Sequence, residues 1–156
     1  MRAPVFVLLE IGRLREHEEV LRADVERLVE EIRAAGRVDN PIWVDRTTGA
    51  ILNGHHRFAA LRALGARRVP AWEFDYADPR IRLDRWNPGP VISKAEVLRR
   101  SSERRPFPPK TTRHQLEVEL PPRPTPLAVL LDPRPPEPQV PAARARTTTR
   151  RSPGSS

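Results

Sequence analysis

The sequence predicts a small α/β domain followed by an unstructured arm. Short apolar runs that alternate in strand fashion are interleaved with segments whose apolar residues recur at helical spacing. All eight aromatic residues lie between Phe6 and Phe107. Residues 121–156, by contrast, hold 10 of the 19 prolines and no aromatic side chain, a composition that cannot assemble a packed core. The expected division is a folded domain over residues 1–131 and a disordered Pro/Arg-rich tail over residues 132–156.

Val5 to Ile11 is apolar enough for a first strand, and Gly12 to Val20 leaves it as a polar connection. Val25, Leu28, Val29 and Ile32 share one face of a helix, with Asp24 near its start and Gly36 past its end. Pro41 to Asp45 and Ala50 to Leu52 read as two short strands joined by Arg46 to Gly49. Phe58, Leu61 and Leu64 mark a helix from about His55, and Gly65 stops it. Val69 to Tyr76 alternates at period two and predicts a strand. Ile81, Leu83 and Arg85-Trp86 suggest another. Lys94 to Ser101 reads as a short helix capped by Ser93. Pro106 to Pro109 interrupts regular structure, so Lys110 to His114 reads as a basic loop. Pro126 to Leu131 is the last apolar run, placed to dock on the domain.

Charge and composition narrow the function. Net charge is +8, and Arg outnumbers Lys 26 to 2. Residues 1–120 and residues 121–156 each carry +4, so the short tail holds half of the excess. The domain itself is therefore weakly marked for nucleic acid, which is expected only through the tail. The absence of Cys excludes disulfide frameworks and thiolate metal sites. Val5 to Leu9 is too short for a signal or membrane-spanning segment, so a cytoplasmic protein with no membrane partner is expected.

The stretch Leu52-Asn53-Gly54-His55-His56-Arg57-Phe58 falls where a strand turns into a helix. Free N–H groups and the positive end of the helix dipole collect there, which suits an anion. Gly54 admits a ligand close to the backbone, and Arg57 can grip phosphate bidentately. None of the four histidines, His17, His55, His56 and His114, occupies a core position of an expected element. Three loops carrying His, Arg, Glu and hydroxyl groups are what a phosphate-handling pocket needs. Taken alone, His17-Glu18-Glu19 reads as a solvated charge run, and Trp86 as a core residue. Zinc is disfavoured because no His-x-x-x-His spacing occurs.

Four elements occur in order: Leu14-Arg15-Glu16-His17-Glu18-Glu19-Val20, Ile51-Leu52-Asn53-Gly54-His55-His56-Arg57, Phe74-Asp75-Tyr76 and Phe107-Pro108-Pro109-Lys110-Thr111-Thr112-Arg113-His114. Together they resemble the free-serine kinases of the ParB/sulfiredoxin-like superfamily, from about Val5 to about Leu131. The resemblance implies a small mixed sheet flanked by helices. It also implies phosphoryl transfer from ADP or ATP, with Mg²⁺, to the hydroxyl of free L-serine. Carried over by motif, Glu18 is the catalytic base. Gly54, His55, His56 and Arg57 hold the nucleotide phosphates. Trp86, Thr111, Arg113 and His114 form the serine site. The family usually has Asp before the Gly of the turn. Here Asn53 keeps one oxygen and drops the charge, although a hard cation prefers a carboxylate. Two other readings share these motifs: a ParB-like, CTP-binding or DNA-associated switch, and a non-catalytic regulator. The first wants a helix-turn-helix element, and the chain turns proline-rich instead.

Overall fold

Alternation along the longest strand creates two cores, one on each side of the sheet. In β5 (Arg68–Phe74), Val69 and Ala71 face one cluster while Trp72 and Phe74 face the other. The computed structural model describes residues 3–117 and 119–134. Its central sheet has the order β1-β5-β3-β4, with β1 (Val5–Glu10), β3 (Ile42–Asp45) and β4 (Ile51–Asn53) joining β5. The β3–β5 pair is parallel, and β1–β5 and β3–β4 are antiparallel, so the sheet is mixed as expected.

On one side pack α1 (Arg22–Ala35) and α2 (His55–Ala63). Ile32, Phe58, Ala60 and Leu61 close over Ile42, Val44, Ile51, Val69 and Ala71. On the other side lie α3 (Lys94–Glu103) and the antiparallel pair β6 (Ile81–Arg85) and β7 (Thr112–Leu116). There Leu52, Trp72, Phe74, Tyr76, Ile81, Val97 and Phe107 form the second cluster. Ser93 caps α3 by accepting the Glu96 amide, as its sequence promised. Two short strands, β2 (Arg37–Val38) and β8 (Thr125–Pro126), pair at the edge and lead into α4 (Leu127–Leu131). The last apolar run does dock. Leu130 is fully buried in the first core, and its carbonyl accepts the Arg67 amide at 2.7 Å. Among the described residues no helix is long and apolar enough to cross a membrane. The expected disordered tail falls, from residue 135 on, outside the described residues.

Two local expectations change, and one strand carries an irregularity. Lys110 to His114 is not a surface loop, because from Thr112 the chain is a strand laddered on β6. A polar strand gives no period-two apolar signal, and the backbone ladder forms without one. In the connection after β1, His17 and Glu18 are buried and not solvated. The amide of Arg15 donates to Gly49, Ile51 donates to Arg15, Phe107 donates to His17 and Glu19 donates to Phe107, at 2.7–2.9 Å. These bonds staple the connection between β4 and the chain before β7. Finally, β4 carries a bulge: Trp43 pairs with Asn53 and Val44 with Ile51, leaving Leu52 unopposed. Alternation sends Ile51 into the first core and Leu52 into the second, and Gly54 follows at the start of α2.

Gly54 has φ 97° and ψ 29°, a left-handed geometry that L side chains resist. A Cβ there would stand 2.6 Å from Ile42 Cγ2 and 3.0 Å from Arg57 Nη1. Strain and clash fall on the same atom. Gly54→Ala is expected to destabilise the fold by about 1–3 kcal/mol. A urea midpoint unchanged from that of the unaltered protein would contradict this.

Candidate active site

The floor of the site is a buried carboxylate. Glu18 is 7% exposed. Its Oε1 accepts the amides of Thr111 (3.1 Å) and Thr112 (2.8 Å) and the Thr112 hydroxyl (2.8 Å). Among the described residues its Oε2 accepts only the Lys110 amide, at 3.1 Å. Three consecutive backbone N–H groups thus converge on one side chain from more than 90 residues away along the chain. Lys110 adopts φ 56°, the left-handed turn that lets them converge.

Above the carboxylate opens a cavity of about 490 Å³. Its walls bring together nearly every residue the sequence singled out: Glu18, Asn53, Gly54, His55, His56, Arg57, Trp86, Arg113 and His114. His17 stands outside the wall, and so does Thr111. Thr111 is 2% exposed, and its hydroxyl donates to Pro108 O at 2.7 Å, so it shapes the turn and does not line the cavity. Lys110 and Thr112 take wall positions instead, and sequence reasoning assigned neither a role. The signal was available: Thr112 and His114 alternate with Arg113, so a strand reading of the motif points both of them inward.

Among the described residues no side chain caps α2, which leaves the amides of His55, His56 and Arg57 at its first turn without a capping partner there. Arg57 reaches from this turn, its Nη1 3.4 Å from Pro41 O. Burial lowers its pKa, yet a guanidinium stays charged at any physiological pH. Lys110 Nζ stands 3.3 Å from Asp24 Oδ2 at the start of α1, and this contact holds the Asp24 carboxyl below its usual range. Trp86 is 62% exposed, which overturns its reading as a core residue. The Arg113 guanidinium lies 4.7 Å from the centre of its ring, a cation–π stack at the rim.

The histidines are not in loops open to water. His17 is fully buried, and His55 and His114 are 5% and 8% exposed. His55 Nε2 accepts the His17 amide at 3.2 Å, and His56 Nε2 accepts the Leu21 amide at 3.0 Å. A ring nitrogen that accepts carries no proton, so both rings are neutral with the proton on Nδ1. Burial lowers both pKa values in the same direction. Positive charge at the turn therefore comes from Arg57 and Lys110, and the two histidines fix loops. His114 Nε2 pairs with the Tyr76 hydroxyl at 2.7 Å. The Tyr76 amide in turn donates to buried Asp45 at 3.2 Å. Burial pushes His17 down to about 4 and His114 down to about 3, against smaller opposing pulls from the Ile51 and Leu52 backbones.

No family model matches the chain. Its sequence is 37% identical over 102 residues to an ATP-dependent L-serine kinase of Desulfurococcus mucosus, covering 63% of this chain and 40% of the relative. It is 28% identical over 99 residues to an ADP-dependent L-serine kinase of Thermococcus kodakarensis, covering 61% and 41%. A free serine kinase in complex with AMP superposes with a TM-score of 0.73 at 17% identity, over 81% of this chain and 93% of that one. The chain has the free serine kinase fold. It spans about two fifths of the length of the curated relatives it matches.

Within the free serine kinase fold, the donor set of this cavity bears on a metal. The described residues contain no cluster of three His, Cys, Asp or Glu side chains able to hold an ion. Asn53 offers one neutral oxygen. Such a wall is no cage for Mg²⁺, which is commonly held largely by substrate phosphates and water.

The buried rings make stability depend on pH. Their folded pKa values lie below the ordinary 6.5. As pH falls below that value, the unfolded chain binds protons that the folded chain refuses. Stability is thus full above 6.5 and is lost as pH falls towards about 4 and about 3, where the folded rings titrate. Each ring is expected to add up to about 1.4 kcal/mol per pH unit to that slope. Urea midpoints measured from about pH 7 down to about pH 5 should fall, and His114→Gln should flatten the trend.

Proposed function

We propose that the protein transfers a phosphoryl group from ATP or ADP to the hydroxyl of free L-serine, giving O-phospho-L-serine. The observation that carries this reading is the shared cavity. An anchored carboxylate and an uncapped helix start bearing an arginine face the same space. Phosphoryl transfer asks the protein mainly for in-line positioning, neutralisation of phosphoryl charge and a carboxylate near the hydroxyl. The names of the similar proteins support the same chemistry.

The nucleotide phosphates lie at the amides of His55, His56 and Arg57, with the Arg57 guanidinium and Lys110 Nζ bearing on their charge. Gly54 keeps the backbone open to them. Arg113 pairs with the carboxylate of free serine, and Trp86 and His114 bound its pocket. The serine Oγ attacks the terminal phosphorus. The bond from phosphorus to the bridging oxygen breaks, and ADP or AMP departs with that electron pair. The Oγ proton passes to Glu18 Oε2, the carboxylate oxygen with a single donor among the described residues. Mg²⁺ bound with the phosphates would supply charge neutralisation there, and Asn53 would offer it one neutral oxygen. A cytoplasmic setting, with nucleotide and free serine at hand, fits these substrates.

Mixing the protein with L-serine, Mg²⁺ and ADP, ATP or CTP in turn, and reading O-phosphoserine by mass spectrometry, tests the reading. Product with ADP or ATP supports it and names the donor. CTP bound or hydrolysed without product would favour a ParB-like switch. Glu18→Gln is expected to lower kcat by at least about 100-fold with nucleotide affinity kept within a few-fold. Parallel loss of both would make Glu18 structural only. Asn53→Asp is expected to raise kcat and to lower the Mg²⁺ concentration at half-maximal rate. No change in either would show that charge at this position does not limit the reaction.

A further inference from the structure

His17 lies behind Glu18 and outside the cavity wall, and nothing in the reaction above uses it. Its geometry is nonetheless specific. The Thr112 hydroxyl oxygen stands 2.8 Å from Glu18 Oε1 and 2.8 Å from His17 Nε2. All three residues are buried, at 7%, 7% and 0% exposure. The ring cannot easily turn away. The His17 carbonyl accepts Phe107 N at 2.7 Å, and its amide donates to His55. Its faces and edges meet His55, His114 and Phe107 at centroid distances of 4.5, 5.8 and 6.2 Å. His17 Nδ1 is buried with no hydrogen-bond partner among the described residues. The ring is thus oriented by packing so that Nε2 meets Thr112, while Nδ1 is turned towards the Ile51 backbone without reaching hydrogen-bond geometry.

A hydroxyl has one proton to give. We propose that His17 is a positioning residue for Glu18: its Nε2–H donates to Thr112, which commits the Thr112 proton to Oε1. Oε1 then holds three donors, so Oε2 alone faces the substrate hydroxyl. The selection of one carboxylate oxygen rests on the kinase reading. The hydrogen-bond direction does not.

The two are separable by experiment. In protein labelled with ¹⁵N-histidine, nitrogen chemical shifts at neutral pH should show His17 protonated at Nε2 and bare at Nδ1. A proton drawn to Nδ1 instead, towards the pull of the Ile51 backbone, overturns the proposal whether or not the protein turns over. For the kinetic half, Thr112→Val is expected to lower kcat by about 10- to 100-fold, with KM for both substrates within about 3-fold. Thr112→Ser, which keeps the hydroxyl, should stay within about 3-fold of the unaltered kcat. His17→Gln, which keeps a donor near the Nε2 position, should outperform His17→Leu at matched folded fraction. Equal losses in Thr112→Val and Thr112→Ser, or an unaffected kcat in Thr112→Val, would overturn it. Absence of phosphoserine from the unaltered chain overturns the kinase reading alone, and the ¹⁵N result then decides the hydrogen-bond direction.

Discussion

The site is organised by a carboxylate largely withdrawn from water. A buried carboxylate is expensive unless its lone pairs are met, and Glu18 is met by three backbone amides and a hydroxyl. That requirement dictates the turn at Lys110, whose left-handed backbone aims successive amides at one side chain. It also pulls the connection after β1 into the protein, where the bonds between His17, Glu19 and Phe107 hold it. The cavity wall is largely what remains once the carboxylate has been satisfied.

Much of this was legible in the chain. Period-two alternation in residues 69–74 revealed the long strand and, through it, the two-sided core. The Gly-His-His-Arg turn stood out because its residue types serve neither packing nor regular hairpins, and it is where the helix begins. What stayed hidden was set by distant partners. His17 sits in a run of charges, which locally signals water. Its burial is decided by Phe107, Thr112 and His114, around 90 residues on. The strand Thr112–Leu116 is mostly polar, so alternation could not reveal it, and Thr112 was passed over with it. Trp86 misled in the opposite direction: an aromatic side chain suggests a core, yet Arg113 stacks on it in the open.

The histidines show how burial edits a functional guess. Four imidazoles beside an uncapped helix start and an arginine suggest positive charge. Burial removes that charge, and the geometry of His55 and His56 uses each ring as an acceptor for a backbone amide of the connection they face. Motif identity survives while the assigned role moves from charge to scaffolding. The cationic work passes to Arg57, whose guanidinium tolerates burial without losing its proton, and to Lys110.

The span between Glu18 and its donors also has a temporal side. The hydrogen bonds that satisfy the carboxylate cross 92 to 94 residues. The central sheet closes earlier in the chain, by Phe74. During synthesis from the N-terminus, the sheet strands are all available while the carboxylate still lacks every one of its partners. Contacts of such separation are late and slow to form. An emerging chain therefore holds a scaffold before it holds the cavity, whose carboxylate is satisfied only when the polar strand after Pro109 arrives to claim its place.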